Sequence, residues 1–432
     1  MGCCEKKKPN QLIEKTISPS DHQDTFETLK VKISYSDFEP LKLIGTGSSS
    51  KVLLVRFNQN KHLYAMKILS KNQIKLNKQE EHSKTERDLM VKFNFPFLVN
   101  IKFAFQDENK LYIVSEFLQG GDMYFHMHHS NIQFTEEKAK FYIIEIILAL
   151  EFLHQNNVIY RDLKPENILT DSNGHIKISD FGLSKILENS KDKAYTLCGT
   201  LQYLAPEILK SRGYDKSVDW WSLGCIFYEM LTGKLPFRIK GNLINPNVFE
   251  EKIKFDGISN PLAVNLISQL LVVNPKKRIG YGDLDAKKIK EHPYFNEVDW
   301  NKYLNKNIEP PFVPKIEGEL DLKYFDKNFI DEPIYSNRTT ISRSNNATEY
   351  NGFTYTTQSI GKDIIELWTK TDPILLISFI LYLVLLYIKD MEFSLFIICI
   401  IKTSLLIPCK KRIIAIPILV FPSIVIGIHI PL

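Results

Sequence analysis

Val158 to Gly182 reads VIYRDLKPENILTDSNGHIKISDFG. Asp162, Lys164 and Asn167 stand in RDLKPEN, and Asp180 stands in DFG. The apolar runs around the two blocks read as short strands, which would hold these polar residues in loops between them. A carboxylate so placed can accept a hydroxyl proton. A lysine can neutralise a moving phosphoryl group. An amide and a second carboxylate can hold hard Mg²⁺ ions through oxygen. Phosphoryl transfer from Mg-ATP needs this set together, so ATP and Mg²⁺ are the expected cofactors.

Working outward toward the N-terminus, FEPLKLIGTGSSSKVLLVRF begins at Phe38. Apolar residues alternate on both sides of Gly45 and Gly47, which predicts two strands joined by a tight turn. Glycines there let backbone N–H groups approach phosphate oxygens. A GxG between strands is most often only a hairpin, so the turn carries weight only with its surroundings. A further strand candidate, HLYAMKIL, sets Lys67 among apolar neighbours, where it needs an anion or must snorkel outward. The helical stretch KQEEHSKTERDLMVKF follows, and its Glu86 can supply that anion.

The 432 residues are 44% hydrophobic and 24% charged, an ordinary globular balance with a net charge of +5. No Lys/Arg stripe interleaved with aromatics suggests a nucleic-acid partner. Six cysteines without a CxxC pair indicate neither a zinc site nor a disulfide frame, and fit a reducing cytoplasm.

With these residues in order, the sequence resembles a eukaryotic protein kinase over 38–295. APE at Ala205–Glu207, Asp219 of SVDWWSLG and Arg278 of KKRIG complete the series. The resemblance implies an α+β, bilobal fold: a β-rich small lobe on a mostly helical large lobe. It implies that Lys67 holds the ATP phosphates and pairs with Glu86. Asp162 becomes the catalytic base, Lys164 contacts the transferred phosphate, Thr200 orients Asp162, and Asn167 and Asp180 bind Mg²⁺. Glu207 would pair with Arg278. The glycine loop comprises Ile44, Gly45, Thr46, Gly47, Ser48, Ser49 and Ser50. It departs from the family at Ser49, where an aromatic is usual, and at Ser50, where a third glycine is usual. A less closed lid is one consequence; a catalytically weak, membrane-tethered scaffold is the competing reading.

Tyr160 before RDL, TLCGTLQYLAPE, PPFVPKI and DLKYFDKNF resemble the AGC group, in which a C-terminal tail wraps both lobes. The tail domain is expected over 296–357. Phe325 would complete an adenine pocket walled by Ile44, Val52, Ala65 and Leu169, with Ser115 behind it and hinge backbone at Glu116–Leu118. Asp122, Glu166 and Glu229 match positions that read arginine upstream of the phosphoacceptor; Asp122 and Glu166 also border the nucleotide. Thr196 matches the activation-loop phosphosite, filled by an upstream kinase, its phosphate meeting Arg161, Lys185 and His82. Cys198 beside it reads as a packed thiol rather than a redox switch. EYNGFTYTT, Glu349–Thr357, resembles the group's hydrophobic motif, with Tyr350 and Phe353 seated beside the Glu86 helix and Thr354 phosphorylated. Ser336 is the weaker candidate for a second tail phosphosite, since no proline follows it.

The arm 1–37 opens MGCCEKKK, with no signal peptide. Gly2 could carry myristate and Cys3 and Cys4 palmitate, anchoring a cytoplasmic chain to membrane lipid, although lysine stands at position six. Residues 358–432 hold three apolar runs, among them PILLISFILYLVLLYI. They read either as a membrane hairpin or as noncoding sequence translated in error after Lys370, since AT-rich DNA yields Ile, Phe, Leu and Lys.

Overall fold

The computed structural model describes residues 33–47, 49–129, 134–189, 192–210, 213–237, 246–334 and 349–357. Gly2, Cys3, Cys4, Ser48, Ser336 and the stretch 358–432 lie outside the described residues. No helix among the described residues is long and apolar enough to cross a membrane.

The small lobe is an antiparallel sheet of β1 (Phe38–Thr46), β2 (Ser50–Phe57), β3 (Leu63–Ser70), β4 (Ile101–Gln106) and β5 (Lys110–Glu116). Its order is β1-β2-β3-β5-β4. In β3 the period of two is plain: Tyr64 and Met66 are buried on one face, while Ala65 and Lys67 are half-buried on the other. Register places Gly45 opposite Val52, Val52 opposite Lys67, and Ala65 opposite Ser115, so these residues share the face toward the cleft. The helix α1 (Lys71–Leu76) follows β3 directly, capped by the Ser70 hydroxyl, and α2 (Glu80–Lys92) carries Glu86.

Below the hinge, α3 (Met123–His128) is capped by the Asp122 carboxylate. The large lobe is built round α4 (Glu136–Gln155), whose amino end is capped by Thr135. The strands β6 (Val158–Ile159), β7 (Ile168–Thr170), β8 (Ile176–Ile178) and β9 (Lys185–Ile186) frame the loops that carry Asp162 and Asp180. A short α5 (Pro206–Leu209) leads to α6 (Ser217–Thr232), and α7 (Pro261–Leu270) and α8 (Asp285–Lys290) follow. Apolar residues surround α4 and α6 on nearly every side, the pattern of a core helix. Trp220 and Trp221 are fully buried in α6. Burying side chains of this size is worth roughly 1.5–3 kcal/mol or more each, so the pair of helices forms a stiff floor for the catalytic loop.

The tail returns to the small lobe. Gln119, just past the hinge, donates to Gly318 O at 2.6 Å and Asp321 O at 3.0 Å. Gly121 adopts φ +76, and a Cβ there would meet Tyr324 O at 2.2 Å. Only a glycine lets the tail backbone pass so close. Farther on, β10 (Tyr355–Thr356) adds to the free edge of β4, with Tyr355 opposite Ala104.

Candidate active site

The catalytic loop is shaped from below. Asp219, near the start of α6, accepts the Tyr160 N–H at 2.9 Å and the Arg161 N–H at 2.8 Å. These bonds hold Arg161 at φ +72, a left-handed conformation costly for a side chain of that size. Asp219 is itself fixed by His154 of α4, whose Nε2 lies 2.8 Å from Oδ2. The other imidazole nitrogen lies 3.0 Å from Oδ1 of Asp285, which also accepts the Trp220 indole N–H at 2.7 Å.

His154 is fully buried, which by itself lowers its pKa, but Asp285 and Asp219 reverse this and raise it from 6.5 to about 9. The imidazolium is thus the third charge of a buried triad. A group raised in the folded state stabilises fully below its unfolded pKa and loses that contribution as pH rises through the folded value. Unfolding free energy should therefore fall between pH 6.5 and about 9, by an amount on the order of 3 kcal/mol. Urea titrations across that range should show the decline in the native chain and its absence in His154→Gln. Parallel pH profiles would exclude the charged triad.

Above this support, Asp162 is held on both oxygens. The Thr200 hydroxyl donates to Oδ1 at 2.7 Å, and the Asn167 amide donates to Oδ2 at 3.0 Å. Lys164 Nζ lies 3.1 Å from Oδ2 and donates to the Thr200 hydroxyl at 3.0 Å. Asp162, Lys164, Asn167 and Thr200, predicted from their motifs, therefore form one hydrogen-bonded unit. Tyr160 donates its hydroxyl to Ser179 O, tying this loop to the one that carries Asp180.

Lys67 joins the lobes. Its ammonium lies 2.7 Å from Glu86 and 3.0 Å from Asp180. Burial lowers its pKa, but the two carboxylates outweigh this and hold it above the ordinary lysine value. Burial raises the Glu86 carboxyl, so the charge there depends on Lys67 staying close. Asn167 spends its amide N–H groups on Asp162, which leaves its amide oxygen for a cation. Asp180 offers a second hard donor, its Oδ1 already steadied by Lys67 and the Gly182 N–H. Two oxygen donors of this kind suit Mg²⁺.

Val52 and Ala65 lie on the cleft face of the sheet, where the resemblance expects adenine walls. Ile44, Val52, Ala65 and Leu169 are half-buried around the cleft, and Leu118 is buried at the hinge. Phe325 stacks on Phe117 with centroids 5.6 Å apart. Phe117 is a hinge partner that the sequence motifs do not single out. Glu116 anchors the hinge by accepting the Asn100 N–H and the Lys177 ammonium at 2.8 and 2.7 Å. In the glycine loop, Gly47 donates to Ser50 O at 2.8 Å, and Ser49 turns inward, only 8% exposed. Glu207 and Arg278 form a buried bidentate pair at 2.6 and 2.9 Å.

One expectation needs correction. Glu229 does not face an incoming arginine. It is buried, and its oxygens are taken by the Tyr203 hydroxyl at 2.8 Å and His128 at 3.0 Å. The physical reason is that α3 and the segment before α5 both reach the same carboxylate. Asp122 and Glu166 remain half-buried and exposed, respectively. Burial, with Glu166 adding to it, pushes the Asp122 carboxyl up to about 6.

Thr196 is exposed, and its carbonyl accepts the Tyr214 hydroxyl at 2.7 Å. Arg161 already donates to Leu183 O, Ser184 O and the Tyr214 hydroxyl, while its charge, after burial, holds the His82 pKa down. Lys185 is exposed on β9. Cys198 is half-buried, and burial raises its thiol pKa, which fits a packed thiol. At the tail, Phe353 is 1% exposed with the Arg87 guanidinium 5.8 Å over its ring, and Arg87 also donates to Gly352 O. Tyr350 is clamped through its main chain by the Gln106 carboxamide, while Thr354 is exposed.

Residues 38–295 match the family model of the protein kinase domain. The chain is similar to a RAC family serine/threonine-protein kinase homolog of Dictyostelium discoideum, 42% identical over 332 residues, covering 76% of this chain and 74% of that one. It is similar to RAC-beta serine/threonine-protein kinase of Homo sapiens, 42% identical over 329 residues, covering 73% and 67%. It is also similar to ribosomal protein S6 kinase alpha-3 of Mus musculus, 41% identical over 329 residues, covering 73% and 44%.

Proposed function

The chain belongs to the protein kinase family as a serine/threonine kinase of the AGC type, and on that premise we propose that it transfers the ATP γ-phosphate to Ser or Thr lying downstream of arginine. The observation that carries this reading is the convergence of the Asp162–Lys164–Asn167–Thr200 unit with Lys67, Glu86 and Asp180 across the cleft.

In the proposed step, Lys67 grips the ATP phosphates. Asp162 accepts the proton of the substrate hydroxyl while its oxygen attacks the γ-phosphorus. The bond from that phosphorus to the bridging oxygen breaks, and its electrons leave with ADP. Lys164 offsets negative charge on the transferring group. Asn167 and Asp180 would hold Mg²⁺, which supplies charge neutralisation at the phosphates when bound. Thr200 fixes the angle of the Asp162 carboxylate, so no reorganisation is needed at the moment of transfer.

Asp122 and Glu166 are the carboxylates that would receive arginine, without Glu229. A charge-assisted pair of this kind is worth about 1.4 kcal/mol or more, or about tenfold in kcat/KM. Radiolabelled phosphotransfer should favour an Arg-containing Ser peptide over its Ala-for-Arg counterpart by about that factor. Equal rates would remove the arginine preference, and no transfer to either would remove the function.

Regulation would run through phosphorylation of Thr196 by an upstream kinase and through docking of the tail. Phe353 is a buried aromatic, and truncating such a ring to Ala costs about 3–5 kcal/mol, enough to unseat a short strand. Phe353→Ala should lower activity about tenfold and speed hydrogen exchange in α2. Unchanged activity with unchanged exchange would sink tail docking as a control.

A further inference from the structure

The short helix α1 touches both the docked tail and the phosphate lid. At its start, Lys71 donates from Nζ to Gln106 Oε1 at 2.9 Å, and the same carboxamide holds both the N–H and the carbonyl of Tyr350. The Lys71 ammonium also lies 5.6 Å from the centre of the Tyr350 ring. Beyond the other end, the C-cap Asn77 donates from Nδ2 to the Ser49 hydroxyl at 2.8 Å. The Ser70 N–H, from the N-cap of α1, bonds to Ser49 O at 3.4 Å. Ser49 is thus held from both ends of one helix, which explains why a polar residue at a loop tip is almost fully buried.

The helix between these contacts is rigidly seated. Ile74 is fully buried, and the Lys71 N–H bonds to Asn109 O at 2.9 Å. Asn77 caps the helix through its backbone N–H, which bonds to Gln73 O, so its side chain is left for the lid. Lys78, immediately after it, is left-handed at φ +54 and turns the chain into α2.

We infer that Asn77 is a positioning residue for the nucleotide lid, and that α1 carries the seating of the tail to that lid. The inference rests on the reading of Gly45–Ser50 as a phosphate-covering loop. A side-chain hydrogen bond replaces the fit that an aromatic loop tip would supply: Asn77 keeps Ser49 tucked under the sheet, and Gln106 with Lys71 fixes where α1, and hence Asn77, sits. This route does not pass through Glu86.

The test uses the full chain. ATP KM, peptide KM, kcat and the Kd of ATP are measured for wild type, Asn77→Ala, Ser49→Ala and the double variant. Loss of one such hydrogen bond should raise the ATP KM and Kd about fivefold in each single variant. Peptide KM and kcat should stay within about twofold, a split that mere destabilisation would not produce. The double variant should be no worse than either single one. Gln106→Ala should raise the ATP KM in the parent chain and add nothing in the Asn77→Ala background. Unchanged ATP KM and Kd in both single variants would overturn the latch, and full additivity with Gln106→Ala would overturn transmission through α1. Wild type that neither binds ATP nor transfers phosphate would instead overturn the kinase reading beneath both. Thermal melts accompany each variant, and Ser49→Ala decides the matter if Asn77→Ala does not fold.

Discussion

Asp162→Asn is expected to fold, to bind ATP within about twofold of wild type, and to lose phosphotransfer by about a thousandfold. The substitution can keep the local network. An amide oxygen can go on accepting from Lys164 and Asn167, while the amide N–H₂ faces the Thr200 hydroxyl oxygen. What it cannot do is accept a proton from the attacking hydroxyl. Lys67, Glu86 and Asp180 are untouched, so nucleotide binding should survive. Single-turnover measurements on saturating ATP isolate the chemical step. A rate within tenfold of wild type would strip Asp162 of the role of general base.

The second large effect is expected at Ser115. It lies opposite Ala65 near the end of β5, and its hydroxyl donates weakly to Ala65 O at 3.5 Å. The resemblance implies a bulky apolar side chain at this position, so the smaller serine is expected to open a recess behind the adenine ring. Met90 of α2, buried in the core at 7% exposure, is the side chain expected to compete for that room. Adenine-like inhibitors bearing an added aromatic group should gain roughly 1.5–3 kcal/mol from the recess, about one to two decades in affinity. Ser115→Met should abolish that gain while ATP turnover continues. Equal potency against both chains would show that no recess exists.

The catalytic loop was legible because its residues lie close in sequence, while the bilobal fold and the role of Thr200 came with the kinase resemblance. Asp162, Lys164 and Asn167 occupy one tight loop, so spacing alone brings them together, as the hydrogen bonds among them bear out. Lys67 with Glu86 was legible as a demand, since a lysine in an apolar strand needs an anion and the helical stretch that follows offered one, and the resemblance then implied the pair. The support beneath the loop was not legible. His154, Asp219 and Asp285 come from three separate elements, and no periodicity links them. Glu229 was misread for the same reason, since its partners His128 and Tyr203 arrive from distant parts of the chain. The serine-rich lid read as an irregularity, because the residue that compensates, Asn77, belongs to a different helix end.

The strand that the tail lends to β4 has a consequence for keeping the protein in solution. Without Tyr355 and Thr356, the N–H and C=O groups of Phe103 and Ala104 would stand open along a sheet edge. The segment behind them reads IKFAFQ, short, apolar and nearly uncharged, the kind of sequence that pairs with copies of itself. Seating the tail therefore also acts as a guard against self-association. A chain cut before residue 349 would be expected to aggregate with concentration even where its active site is whole. Any preparation that omits the tail would be expected to lose soluble yield through that edge as well as the activity that tail docking supports.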